Sequence, residues 1–66
     1  MSKIYLSLTA TERAVTRCAA DIFSAYIRSG QVGPGEESQW IARSVSEAIQ
    51  IAQATDERLT SDDEMS

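Results

Sequence analysis

Sixty-six residues make at most one small domain, and a chain this short hides only about 60 % of its unfolded surface on folding. With one cysteine and no histidine, it has no intrachain disulfide and no ligand set for zinc. Of the usual supports of a small fold, the one left is a partner subunit. Ten acidic residues against six basic ones, a formal charge of -4, repel phosphates and argue against nucleic acid as a partner.

The stretch from Met1 to Leu8 is too short and interrupted for a secretory signal. No run approaches the roughly 18 apolar residues of a membrane span, so no membrane contact is expected. A lone thiol, Cys18, fits a reducing compartment. The chain therefore reads as acidic and cytoplasmic.

Ile4, Leu6 and Leu8 alternate with Tyr5 and Ser7, the period of a half-buried strand. Residues 1–9 are expected to form an extended arm that either pairs with its copy in a second subunit or lies on the helices. Thr9-Ala10-Thr11-Glu12 is a capping box, which starts a helix predicted over 10–29. On that helix Cys18, Ile22, Val15, Tyr26, Ala19, Phe23 and Ile27 spread over about 180°, where a single neighbour needs little more than about 100°. The excess is surface for a second neighbour. The opposite face carries Arg13, Arg17, Asp21, Ser24 and Arg28, with Arg17 and Asp21 spaced as an i,i+4 ion pair.

Gly30 suits a left-handed helix end and Arg28 the negative end of the dipole. The turn is placed at 30–33, with Val32 inserted between the helix ends. Pro34 is expected at the first position of a second helix over 34–59, capped by Gly33, with Glu36 and Glu37 in its first turn. So short a connection makes the helices antiparallel neighbours.

Ile41, Val45, Ala48, Ile49, Ala52 and Leu59 form a stripe within about 100° of arc, and Trp40 and Ile51, about 20° apart, form a second strip beside it. Arg43 and Glu47 are expected to pair on the far side. The second helix is the longer, so its last turns overhang, and Ile4 to Leu8 lies in the right place to cover Ala52, Thr55 and Leu59. Residues 61–66 are acidic and without periodicity, and are expected to be a disordered tail.

Chemistry is hard to place on this chain. Gly30 and Gly35 have the spacing of a phosphate-binding loop, but Glu36 stands where lysine is needed and would repel the phosphate. Cys18 lies two turns inside a helix with no histidine to act as base, so it reads as buried packing and not as a nucleophile. Asp62, Asp63 and Glu64 lack the spaced ligands and glycine turn of a calcium loop. Glu36 and Glu37 point about 100° apart and form no acid/base pair. No catalytic residue, cofactor site or metal site is expected, and the chain reads as non-enzymatic. Arg13, Arg17 and Arg28 read as a solvated stripe. Trp40 and Tyr26, aromatics at the rim of an apolar face, are candidate interface anchors.

The segment Ala20-Asp21-Ile22-Phe23-Ser24-Ala25-Tyr26-Ile27, followed by Val32, Trp40-Ile41 and Val45 to Ile49, resembles the N-terminal region of MucR/Ros-type bacterial transcriptional regulators. In that family this region serves self-association, and a separate C-terminal zinc finger binds DNA. The cysteines and histidines of such a finger are absent here. The resemblance implies oligomerisation through positions such as Ile22, Phe23, Tyr26, Ile27 and Val45, and no DNA binding by this chain.

The expected fold is an all-α antiparallel helical hairpin, dimerising into a four-helix bundle with a short N-terminal arm. The expected interface is Ile22, Phe23, Tyr26, Trp40, Val45 and Ile51. The expected function is that of a small self-associating, regulatory module. The alternative is an adaptor or antitoxin-like protein that receives another polypeptide on its spare apolar face.

Overall fold

The computed structural model describes the backbone of residues 9–65 and the side chains of residues 9–59; the expected strand at 4–8 lies outside the described residues. The first helix, α1, spans Ala10–Arg28 and the second, α2, spans Glu37–Met65. Together they form the helical hairpin that the sequence pattern requires.

Local chemistry sets three of the boundaries. At the start of α1 the Thr9 amide donates to Glu12 Oε1 at 2.9 Å and the Glu12 amide donates to Thr9 Oγ1 at 3.1 Å. Two amides that the helix leaves free are thus satisfied within one turn. At its end Gly30, at φ 77, lets the chain reverse. The Gly30 amide donates to the Ile27 carbonyl and the Gln31 amide to the Tyr26 carbonyl, the paired bonds of a Schellman closure.

The second helix starts later than expected. Pro34 is not its first residue: it sits in a turn closed by the Glu36 amide donating to the Gly33 carbonyl at 3.0 Å, with Gly35 at φ 81. Proline followed by a left-handed glycine is the signature of a type II turn. Glu36 folds back so that the Gly33 amide donates to its Oε1 at 3.0 Å. The whole connection is therefore longer than 30–33, and Val32 is half-buried within it.

At the other end α2 runs on to Met65, where an end near residue 59 and a disordered tail over 61–66 were expected. No glycine or proline interrupts the chain after Gly35. Extending an existing helix costs little because each added residue gains a hydrogen bond.

The helices meet through small side chains. Ala48 and Ser44 are each 1 % exposed and Ala19 is 6 % exposed; these three are the buried residues among those described. The Ser44 hydroxyl donates to the Trp40 carbonyl at 2.7 Å, so its burial leaves no polar atom unsatisfied. Helices can approach closely where such residues face each other. Of the expected stripe Ala48 is at the contact, while its larger members Ile41, Val45 and Ile49 lie 46 %, 39 % and 42 % exposed along one flank. The resulting body measures 49 × 32 × 14 Å. Its least dimension is little more than the diameter of one helix, about 10–12 Å, so the hairpin is a single layer with two open faces.

Candidate functional site: two apolar faces

Counted from buried Ala19 on α1 and from buried Ser44 and Ala48 on α2, about 100° per residue sorts the apolar side chains nearer the turn onto two sides, while Ala52 and Leu59 keep the direction of Ile41. One side carries Phe23 and Ile27 from α1 with Ile41, Val45 and Ile49 from α2. Phe23, Ile41 and Val45 border a shallow recess of about 250 Å³ together with Thr16, Ala20 and Ser44. Ile27 is 52 % exposed. The middle of this face carries no charge; its polar groups there are the hydroxyls of Thr16 and Ser44.

The other side is divided. Near the turn the Tyr26 and Trp40 rings lie 4.7 Å apart, tilted by 54°. The Arg43 guanidinium rests over both, 5.4 Å from the Tyr26 centroid and 5.2 Å from that of Trp40. The Tyr26 hydroxyl donates to Glu47 Oε1 at 2.6 Å, and Arg43 Nε donates to Glu47 Oε2 at 3.3 Å.

These groups hold one another's charge states. The hydrogen bond to Glu47 raises the Tyr26 pKa above its ordinary value, because ionising the hydroxyl would set two anions side by side. The same bond, followed by that from Arg43, lowers the Glu47 pKa. The cluster clamps the turn end of the hairpin. Arg43 and Glu47 do pair, but against the aromatic rings and not on a remote solvent face. The Arg17–Asp21 ion pair expected from spacing is not formed among the described residues.

Toward the open end of the hairpin, Val15, Cys18, Ala48, Ile51, Ala52 and Leu59 border a groove of about 560 Å³. Cys18 is half-buried on its wall and not enclosed in a core. Ile51 is 52 % and Leu59 is 59 % exposed.

The six residues expected at an interface are thus distributed. Tyr26 and Trp40 are brought together, with Arg43 and Glu47, which were not expected there. Phe23 and Val45 share the uncharged face. Ile51 lies in the groove, and half-buried Ile22 is on the same side of α1 as Cys18. Ile27, Ile41 and Ile49 belong to the uncharged face as well. Their exposure could not be read from the stripe that contains them, since the stripe predicts which side is apolar and not how far from the contact it lies.

Arg13, Arg17 and Arg28 are exposed on the outer side of α1. No group of three or more potential metal ligands occurs among the described residues. Among those residues no helix is long and apolar enough to cross a membrane. No protein-family model, curated protein or solved structure matches the chain.

Proposed function

We propose that this protein is a small non-enzymatic module whose activity is self-association: two copies join through Phe23, Ile27, Ile41, Val45 and Ile49 into a four-helix bundle. The observation that carries this is the exposure of Ile27, Ile41, Val45 and Ile49, between 39 % and 52 %, around an uncharged recess on one side of a layer 14 Å thick. A second copy presents the same surface, so a two-fold axis sets the uncharged recess of one copy against that of the other. Among the described residues the core within one chain is three small residues, and a single cysteine allows no intrachain disulfide. The likeness of residues 20–49 to the self-association region of MucR/Ros-type regulators supports the same mode and a regulatory role. The lone thiol supports a cytoplasmic setting.

Size exclusion with light scattering tests the pairing. The wild-type protein is expected at twice its chain mass of 7.2 kDa. Val45→Glu places two carboxylates in the seam, and burying each costs several kcal/mol. At about 1.4 kcal/mol per tenfold, the dissociation constant rises by about ten-thousandfold or more. A compact, well-folded wild-type monomer at micromolar concentration would overturn the proposal.

A further inference from the structure

The groove at the open end has no lining residue in common with the proposed seam, although Ala52 and Leu59 continue the stripe of Ile41 and Val45 along α2, so what fills it is a separate question. Its walls are mostly aliphatic, from Val15, Ala48, Ile51, Ala52 and Leu59. Ala10 and Thr11, the first two residues of α1, also border it. The chain therefore enters the helix at the rim of the groove. Thr9 is extended, at φ -69 and ψ 167, and its amide is tied to Glu12, which fixes the point from which the preceding residues depart. Beyond the groove, α2 continues from Leu59 to Met65, projecting roughly 9 Å further at 1.5 Å per residue.

The sequence directly before Thr9 has the pattern such a groove requires. In an extended chain Ile4, Leu6 and Leu8 point to one side and Tyr5 and Ser7 to the other. Five extended residues span about 16 Å, enough to run the roughly 12 Å of α2 from Ile51 to Leu59. A tethered segment also needs no concentration of partner, since its effective concentration is set by the short connection. We propose that Ile4, Leu6 and Leu8 of the same chain occupy the groove of Val15, Cys18, Ile51, Ala52 and Leu59, with Tyr5 and Ser7 outward.

Cys18, on the groove wall, serves as the reporter. In the full-length protein Leu6→Ser is expected to speed reaction of the Cys18 thiol with an aromatic disulfide reagent by about tenfold or more, the ratio set by losing one buried leucine. Tyr5→Ser is expected to leave the rate unchanged. Equal rates in all three proteins, at equal helicity by circular dichroism, overturn the proposal.

Should Leu6→Ser unfold the hairpin, Leu6→Cys with Cys18 retained gives an independent result. Oxidation by copper-phenanthroline and oxygen is expected to close a disulfide within one chain, whereas Ser7→Cys resists closure. A two-chain product in place of the one-chain product overturns the proposal. The same labelling in Val45→Glu separates it from dimerisation. Protection retained in the monomer supports the arm, and protection lost while helicity persists shows that a second copy covers the groove.

Discussion

Replacing Ala48 by leucine attacks the hairpin where its helices touch. Ala48 is 1 % exposed and shares the contact with Ser44, 1 %, and Ala19, 6 %. None of the three has a flexible side chain that could swing aside to make room. Three added carbons that press on this contact push α1 away or twist off their preferred rotamer, at a cost of about 1–3 kcal/mol; the other direction open to them is the groove that Ala48 also borders. For a domain of this size each kcal/mol moves the melting temperature by about 4–8 °C, so Ala48→Leu is expected to lower it by roughly 4–24 °C. Thermal unfolding followed at the helical circular dichroism signal reads the shift directly. Ala54→Leu, at an exposed position of α2, adds the same three carbons and serves as the control, with little change expected. An Ala48→Leu protein that melts at or above the wild-type temperature would refute the close contact through small residues.

Three further substitutions probe the turn and the clamp. Gly35→Ala forces a side chain into φ 81 and is expected to cost about 1 kcal/mol in urea unfolding. Gly33→Ala is expected to cost less, since the new carbon would meet, at 2.9 Å, the flexible end of the Glu36 side chain; the reverse order would contradict the type II turn. Glu47 releases its proton more readily in the folded chain than in the unfolded one. Its contribution is therefore complete above the ordinary carboxylate range and lost as pH falls through the lowered folded value. Glu47→Gln is expected to melt below wild type at neutral pH and to converge with it in acid; an unchanged difference at about pH 3 would refute the link. For Tyr26 the sense is opposite, since its folded pKa is raised. What it contributes is full below its ordinary value of 10.0 and is lost as pH rises through the folded one.

The parts of the fold legible in the sequence are those fixed by neighbours in the chain. Thr9 with Glu12 and the glycine after Ser29 act within a single turn, so residue types alone specify α1 to within one residue at its end. Pro34 was ambiguous because proline suits both the first helical position and the second position of a turn. Gly35 decides for the turn, and the helix waits until Glu37. The far end of α2 was misplaced because an acidic composition suggests disorder, while an uninterrupted helix can propagate through it.

The site was legible as two apolar strips but not in its depth. Periodicity puts Ala19 and Ala48 in the same apolar arcs as Ile41, Val45 and Ile49 without ranking them; close approach favours Ala19, Ser44 and Ala48, and that leaves the larger residues on the flank. Ser44 had no hydrophobic signal at all; its burial is permitted by a hydroxyl bonded to its own helix. The Tyr26–Trp40 contact followed from helix periodicity and antiparallel pairing. Its capture of Arg43 and Glu47 depends on the spatial crossing of the helices, which no local pattern records.

The dependence of the melting temperature on protein concentration tests most directly whether this hairpin is half of a paired fold. If folding and association are one process, mass action stabilises the folded state as concentration rises. The melting temperature should then climb steadily over a hundredfold range around micromolar, and the helical signal should weaken at the dilute end. A melting temperature that stays constant across that range, with full helicity throughout, would mean that the single layer stands alone.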